Sequence, residues 1–371
     1  MRNKSIALLS AAAILAATGA VAQSGAAGQA GTPAANSAAK GEAAANKDAP
    51  ASGQSRANWV PPGTPGSPVN GEIFHAQVTL DRLGFSPGVI DGKPGISFDD
   101  ALRGFQTSRG LPVNGKLDNA TKVGLLREMN IPSTVRLRLD PTDLQGPFVG
   151  PIPEDAALKA KMPRLGYRNA VEALAEKFHT TPETLVALNG PDTRLAPGVV
   201  LRYPNVLPSS RQYEGVQGEH AELMSDLNVD GRQPQGDRIV VDKSERVLKV
   251  FDGQDRLVAQ FPVSMGSTRD PLPLGQWKVT TYAYLPPFNF QPELLWYVSD
   301  DEQAQKLPPG PNGPVGVAWL DLTKEHYGIH GTPEPSTIGR AESAGCIRMT
   351  NWDVARLSRI VKPGVQAVFQ A

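Results

Sequence analysis

From residue 237 to the end of this 371-residue chain, short apolar runs with the composition of β-strands follow one another at close spacing. The runs are 239–241, 247–251, 257–263, 277–282 and 315–320, and turn-forming Gly, Pro and Asp residues stand between them. This spacing predicts a β-rich domain, built as a sandwich or a barrel-like sheet. The Pro-rich segment 285–314 is too long for a plain turn, so we expect it to form a lid or a groove wall.

The chain contains one cysteine, Cys346, and His330 stands 16 residues before it. A thiol attacks a carbonyl as its thiolate, and an imidazole that accepts the proton makes this form available at neutral pH. Gly345 allows a tight turn and a close approach of substrate. The backbone N–H groups around Cys346 are candidate donors for an oxyanion hole. The pattern therefore indicates a cysteine nucleophile with a histidine base.

Two other interpretations of these residues are open. A lone cysteine is commonly a small buried apolar side chain. A zinc site is the second, because His326 and His330 are four residues apart with Cys346 available. That spacing suits a helix, whereas residues 327–329 predict a strand, so no metal is expected. On one strand, residues 326 and 330 would lie roughly 13 Å apart, so only His330 is expected to reach the thiol.

The segments 330–332 (His-Gly-Thr) and 343–349 (Ser-Ala-Gly-Cys-Ile-Arg-Met) resemble the catalytic signature of the L,D-transpeptidases. These are cysteine enzymes that cross-link bacterial peptidoglycan. Segments 307–311 and 350–353 extend the similarity, which covers residues 237–371. Many members of the family have a second histidine where this chain has Ala344.

The resemblance implies a reaction. His330 takes the proton of Cys346, and the thiolate attacks the carbonyl of the diamino acid in a tetrapeptide stem. D-alanine leaves, and an amine of a neighbouring stem resolves the thioester. The carbonyl of Gly331 orients the imidazole. No metal or cofactor is required.

Two further residues, Arg348 and Ser343, have alternative roles. Arg348 is a candidate for holding a substrate carboxylate or the loop, or else it forms an internal ion pair with a helix acid such as Asp353. Ser343 donates a hydrogen bond within the site or satisfies the turn. Gly345 belongs to the substrate and oxyanion region.

The helix that contains Asp353 is capped by residues 350–351 and precedes a last strand at 365–369, and we expect it to support the Cys346 loop.

Other functions fit the same pattern. With water as the acceptor, the protein is an L,D-carboxypeptidase or a hydrolase acting on wall-linked peptides. In a different class, it is a catalytically silent wall-binding protein, against which the intact Cys346 and His330 argue. A thiol protease acting on proteins is the third alternative.

Residues 1–22 have the pattern of a cleaved secretory signal peptide, with a basic start, an apolar run and a small-residue cleavage site. In an oxidising compartment a single free thiol is a liability unless it has a use. We therefore expect a periplasmic or cell-wall-associated protein with no stable membrane insertion after cleavage. The formal net charge of zero does not suggest nucleic acid as a partner. Residues 23–70, rich in Ala, Gly, Ser and Pro, predict a flexible linker.

Residues 71–130 predict a small three-helix domain. The first helix carries Ile73, Val78, Leu80 and Leu83, the second opens at Asp99, and the third points residues 123, 125 and 126 inward. Segments 83–85, 90–92, 105–106 and 110–115 resemble the peptidoglycan-binding module found beside wall enzymes. The resemblance implies a non-catalytic domain that binds peptidoglycan.

Residues 131–207 predict helices at 169–178 and 181–188 and a strand at 199–204. Segments 173–178, 188–189, 197–198 and 203–205 resemble a degenerate lysin motif, a small βααβ fold that binds glycan strands; a spacer domain is the alternative. Residues 208–236 are predicted to be a second, polar linker. The expected protein is thus multidomain, with a helical peptidoglycan-binding-like domain, an α+β lysin-motif-like segment and a β-rich catalytic domain at 237–371. Its expected partners are peptidoglycan stem peptides and glycan strands.

Overall fold

The computed structural model describes residues 60, 64–294, 298, 301–341 and 345–371. The predicted signal peptide at 1–22 and most of the predicted linker at 23–70 lie outside these residues. In the part of the chain that is described, no helix is both long and apolar enough to span a bilayer.

Three helices form the N-terminal domain: α1 (Gly71–Arg82), α2 (Ile96–Ser108) and α3 (Asn119–Glu128). The side chain of Asn70 caps α1 and that of Asp118 caps α3, as is common at helix starts. The predicted inward residues Val78, Leu80 and Leu125 are buried. The prediction was wrong for Val123 and Leu126, which are 47% and 51% exposed because α3 is short and packs on one side only.

Two buried glutamines hold the loops of this domain. Gln106 accepts hydrogen bonds from the N–H groups of Asn114 and Gly115 and donates to Thr121. Gln77 on α1 binds the loop at 91–93 in the same way. The side-chain amide of each glutamine therefore supplies the hydrogen-bond partners that the backbone of a tight turn lacks.

The middle segment contains β1 (Thr134–Arg138), α4 (Ala156–Lys159), α5 (Ala170–Lys177), α6 (Pro182–Asn189) and β2 (Val200–Pro204). The predicted helices and the predicted strand correspond to α5, α6 and β2, whereas β1 was not predicted. β1 and β2 pair antiparallel. The resemblance of residues 131–207 to a lysin motif stays a prediction.

Part of the predicted polar linker at 208–236 is a helix, α7 (Glu219–Asp226), and the prediction missed it. Leu223, Met224, Leu227 and Val229 are buried in the core of the C-terminal domain. Leu223 and Met224 lie on α7 and Leu227 and Val229 directly follow it, and burial of these apolar side chains stabilises the segment against the core.

The C-terminal domain is β-rich, as predicted. Its strands are β3 (Gly236–Asp242), β4 (Val247–Phe251), β5 (Leu257–Pro262), β6 (Gly275–Tyr284), β7 (Phe288–Phe290), β8 (Gln305–Leu307), β9 (Ala318–Leu322), β10 (Gly328–His330), β11 (Ile347–Arg348) and β12 (Val361–Gln370). Eight of them form one sheet in the order β11-β10-β9-β6-β12-β3-β4-β5, and β7 pairs with β8. The helix α8 (Asn351–Ile360), capped by Thr350 as predicted, packs its buried residues into the same core.

The N-terminal domain covers the edge of this sheet at β5. Ser86 N–H donates to the carbonyl of Gln260 at 2.8 Å, and Gln260 N–H donates to the carbonyl of Gly84 at 2.9 Å. The Gln260 side chain donates to the carbonyl of Asp100 on α2. An edge strand with unpaired N–H and C=O groups invites unwanted pairing, so this contact protects it.

A buried cluster of charges joins α1, α8 and the end of α5. Arg356 donates to the carbonyl of Asp81 at 2.7 Å and to its carboxylate at 3.2 Å. Nδ1 of His179 lies 3.1 Å from the same carboxylate, and its ring stacks on Trp352. Ser86 donates to Asp353 at 2.7 Å. Burial alone would raise the pKa of Asp81, but Arg356 and His179 outweigh it and hold that pKa well below its usual range.

Candidate active site

The parallel pairing of β10 with β11 assembles the candidate site. Ile329 pairs with Ile347, and His330 pairs with Arg348. Both isoleucines are fully buried in the core. Because side chains alternate between the faces of a strand, His330 shares the opposite face with Arg348 and with Cys346, which directly precedes β11. The fold thus brings together a thiol and an imidazole that are 16 residues apart in sequence.

A cavity of about 820 Å³ opens over this face, and Cys346, His330 and Arg348 all line it. Residues 286–291 form one wall, so the Pro-rich segment lies where a groove wall was predicted. The middle segment contributes Glu154, Ala156 and Lys159. Cavities of this size accommodate small organic ligands or short peptide stems.

One ring nitrogen of His330 forms a hydrogen bond that holds the side chain in place. Its side chain is only 5% exposed, and Nδ1 lies 2.7 Å from the carbonyl oxygen of Gly331. A carbonyl oxygen only accepts, so Nδ1 carries the proton in the neutral ring. This tautomer leaves the lone pair of Nε2 to accept a proton.

The electrostatic surroundings keep the His330 imidazole neutral. Burial, together with the positive charge of Arg348, lowers the pKa of His330 to about 4, against a weaker opposing effect of the Gly331 carbonyl. At neutral pH the ring is therefore unprotonated and able to act as a base.

Cys346 is half-buried. Burial raises the pKa of its thiol, while a hydrogen bond from the backbone N–H of Gly328 and the charge of Arg348 oppose this rise. Its Sγ lies 3.7 Å from the carbonyl oxygen of His326. The resting state is consequently a thiol, and a base is needed to form the thiolate.

Two glycines at the site have no room for a side chain. A Cβ on Gly331 would lie 2.1 Å from Oδ1 of Asn351. Gly345 has φ +94, and a Cβ there would lie 2.9 Å from the Tyr327 ring. Glycine at these positions lets the side chain of Asn351 pack against residue 331 and the ring of Tyr327 pack against residue 345.

Arg348 is half-buried, and no carboxylate among the described residues forms an ion pair with it. The predicted alternative, an ion pair with Asp353, was wrong, because Asp353 instead faces Ser86 and the Arg356 charge. The guanidinium is therefore available to a ligand in the cavity. Ser343 lies outside the described residues.

His326 does not lie on a strand, contrary to the prediction. Its φ of +64 places it in a turn before β10 begins at Gly328, so the predicted separation along one strand does not apply. It lines the same cavity, and its side chain is 70% exposed beside Glu325. Within the described ranges, no group of three or more His, Cys, Asp or Glu side chains is arranged to hold a metal ion.

Sequence reasoning missed several residues of the cavity. Trp319 stacks on His330, and Tyr327 packs on Gly345. Both are aromatic residues close to the His-Gly-Thr segment in the sequence, and this proximity could have identified them as part of the site. Glu154 and Asp270 also line the cavity, but nothing near them in the sequence marks them.

Known proteins resemble two parts of this chain. The L,D-transpeptidase catalytic domain family matches residues 236–369, and a peptidoglycan-binding domain family matches residues 70–123. An L,D-transpeptidase named YkuD from Bacillus licheniformis is 38% identical over 129 residues, which are 35% of this chain and 62% of that protein. The Bacillus subtilis protein of the same name is 57% identical over 56 residues, 15% of this chain and 34% of that protein.

Among solved structures, an L,D-transpeptidase from Mycobacterium smegmatis has a TM-score of 0.29 and 23% identity, covering 36% of this chain and 58% of that chain. The chain spans less than two thirds of the length of both YkuD relatives. On the two family matches, the chain carries an L,D-transpeptidase catalytic domain in residues 236–369 and a peptidoglycan-binding domain in residues 70–123.

Proposed function

We propose that this protein is an exported L,D-transpeptidase that forms a thioester on Cys346 and transfers its acyl group to an amine of peptidoglycan. The observation that carries the proposal is the pairing of β10 with β11, which puts His330, Cys346 and Arg348 on one face of the sheet and in one cavity. The family match over residues 236–369 supports the same reaction class.

The first step transfers a proton. Nε2 of His330 accepts the proton of the Cys346 thiol as the sulfur attacks the carbonyl of the diamino acid in a tetrapeptide stem. The neutral ring, protonated on Nδ1 and held by the Gly331 carbonyl, suits this role. Backbone N–H groups at Gly345 and Cys346 are the proposed donors to the oxyanion that forms.

The second step breaks the amide bond to the terminal D-alanine. The imidazolium returns its proton to the leaving nitrogen, so D-alanine departs with a neutral amine and the acyl group stays on sulfur as a thioester. An amine of a second stem then attacks this thioester, a new amide bond forms, and the sulfur leaves. The proton lost by the attacking amine restores the thiol.

Arg348 and Ser343 are proposed to serve the substrate. The Arg348 guanidinium, with no carboxylate partner among the described residues, suits the carboxylate of the stem's terminal residue. A hydrogen bond from Ser343 is a proposal from the sequence motif alone.

We further propose that the N-terminal domain holds peptidoglycan near the catalytic cavity and that the middle segment contacts glycan strands. The family match at residues 70–123 supports the first of these roles. A periplasmic or wall-associated location, after cleavage of a signal peptide, follows from this substrate and from the sequence pattern of residues 1–22.

The test is mass spectrometry of the mature chain incubated with a purified tetrapeptide stem or with a carbapenem, whose strained ring acylates nucleophiles. We expect one acyl group per chain on Cys346, release of D-alanine from the stem, and a cross-linked dimer of stems. Cys346→Ala should take up no label, because the chain has no other thiol.

Three other outcomes would each contradict part of the proposal. A shortened stem without any dimer would indicate that water is the acceptor. A parent chain that takes up no label would indicate a silent wall-binding protein. Label that persists in Cys346→Ala would contradict the thiol mechanism.

The pH dependence of acylation gives a second prediction. Since the pKa of His330 is lowered to about 4, the ring loses its capacity to accept a proton only as pH falls through that value. We expect the acylation rate to stay nearly constant from pH 8 to pH 5 and to drop near pH 4. An imidazole with an ordinary pKa of about 6.5 would instead lose activity already below pH 7.

Stopped-flow measurement of carbapenem acylation at each pH checks this. The range should be limited to pH values at which circular dichroism shows the fold intact. A rate that halves between pH 6 and 7 would show that burial and Arg348 do not lower the pKa of His330 as described.

A further inference from the structure

Trp319 lies directly across from His330 in the antiparallel pair of β9 and β10. The indole and imidazole rings stack, with their centroids 5.3 Å apart and their planes 14° from parallel. Trp319 is half-buried and lines the same cavity as Cys346. One face of the imidazole is therefore covered by the indole.

The stack depends on a glycine at position 328. A Cβ there would lie 2.3 Å from Cζ2 and 2.4 Å from Cε2 of Trp319. Any side chain at residue 328 would push the indole away, because real Cβ contacts are never this short. The indole thus lies across β10 in the space that a side chain would fill, next to the ring of His330.

The indole is itself held in place. Its Nε1 donates to Oδ1 of Asp321 at 3.2 Å, and the hydroxyl of Thr280 donates to Oδ2 of the same carboxylate at 3.2 Å. This chain of contacts runs from β6 through β9 to the imidazole on β10. Because this hydrogen bond to Asp321 already restrains the indole, the indole loses little conformational freedom when it stacks on the imidazole.

We propose that Trp319 is a positioning residue for His330: with the Gly331 carbonyl it fixes the orientation of the imidazole and keeps water from one of its faces. The inference rests on the proposed function, because it concerns how the proposed base is held. The carbonyl fixes the ring at Nδ1, and the indole prevents the ring from tilting about that hydrogen bond. Nε2 is then left in a single orientation for the thiol of Cys346.

The charged groups around His330 decide what happens when the indole is removed. Arg348 on β11 opposes protonation of the ring, and Asp321 lies beyond the indole on β9. The other titratable groups of the cavity are Glu154, Lys159, Asp270, Glu302, His326, Tyr327 and Cys346. Without the indole, water reaches the imidazole and stabilises its charged form, so the pKa of His330 rises toward its ordinary value even though Arg348 remains.

The test is Trp319→Leu in the full mature chain, read in two ways. The first is the NMR titration of the His330 ring in protein with labelled histidine, assigned by the signal that His330→Ala lacks. The second is the rate of carbapenem acylation between pH 4 and 8. We expect the His330 titration midpoint to rise by about one pH unit or more. After a rise of one unit, acylation should fall about twofold more at pH 5 than at pH 8, because about half of the base is then protonated at pH 5, and the loss grows with any larger rise.

Two matched variants separate positioning from general damage. Trp319→Phe keeps an aromatic face over the imidazole and should stay close to the parent in both readings. Trp277→Leu removes a half-buried tryptophan from β6 of the same sheet that packs on the core and does not line the cavity, so it should leave both readings unchanged. If Trp319→Leu does not fold, Asp321→Ala, which frees the indole, should shift both readings in the same direction by less.

A His330 titration and an acylation profile that are the same in Trp319→Leu and in the parent would overturn the inference. So would a Trp319→Phe variant that behaves like Trp319→Leu. The NMR titration needs no turnover, so it tests the inference even if the parent takes up no acyl group, in which case only the proposed function fails.

Discussion

Replacing His330 with alanine is expected to lower the rate of Cys346 acylation near neutral pH by about 10² to 10⁴, the usual contribution of a general base. The thiol is the resting form of Cys346, because burial raises its pKa. Without an acceptor for the thiol proton, few thiolates are present. Ala344 leaves no second imidazole directly before Gly345, so no neighbour in the motif replaces the lost base.

The measurement is the acylation rate of His330→Ala and His326→Ala across pH, with the same carbapenem. His326→Ala should stay within a few-fold of the parent. His326 lies in a turn beside the cavity, so a distance along one strand does not apply. Its side chain is 70% exposed, and its contact with the thiol is made by the backbone carbonyl, which alanine keeps. A slow His326→Ala beside a fast His330→Ala would reverse the assignment.

The second large effect concerns stability. Arg356→Met should reduce the free energy of unfolding by about 3 to 5 kcal/mol, because it leaves the Asp81 carboxylate buried without its strongest partner. Asp81 is fully buried and Arg356 is 5% exposed, so water cannot replace the lost hydrogen bonds. The double variant Asp81→Asn with Arg356→Met should recover part of the loss, since no uncompensated charge then remains buried.

Urea unfolding of each variant measures this, and the chain offers a matched control. Arg256 also pairs with an aspartate, Asp252, at 2.7 Å, but its side chain is 70% exposed. Arg256→Met should therefore cost less than about 1 kcal/mol. If Arg356→Met cost no more than Arg256→Met, the buried cluster would contribute nothing to holding the domains together.

This buried cluster joins the N-terminal domain to α8. Arg356 and Asp353 belong to α8, which begins five residues after Cys346, and their partners Asp81 and Ser86 belong to the N-terminal domain. The domain that matches a peptidoglycan-binding family is thus packed directly on the helix that follows Cys346. An N-terminal domain removed from the rest would leave these charges exposed on α8.

Much of this fold was accessible from local sequence patterns. The strand at 247–251 was predicted with the bounds that the structure has, and the cap of α8 at Thr350 was predicted from its side chain alone. Both depend on residues that are neighbours in the chain: an apolar run between turn residues, and a hydroxyl before a helix. Helix α7 was missed because its apolar face is short and lies in a polar segment.

By itself, the sequence determined which residues are the candidates for the proposed chemistry. A single cysteine, a histidine in a His-Gly-Thr segment and a glycine before the cysteine are local features, and their chemical properties do not depend on the rest of the chain. Only the tertiary structure decided which groups surround them. The stacking of Trp319 on His330, the position of His326 in a turn and the pairing of Asp81 with Arg356 join residues from separate elements. Such contacts depend on strand register and domain packing, which many distant side chains determine together.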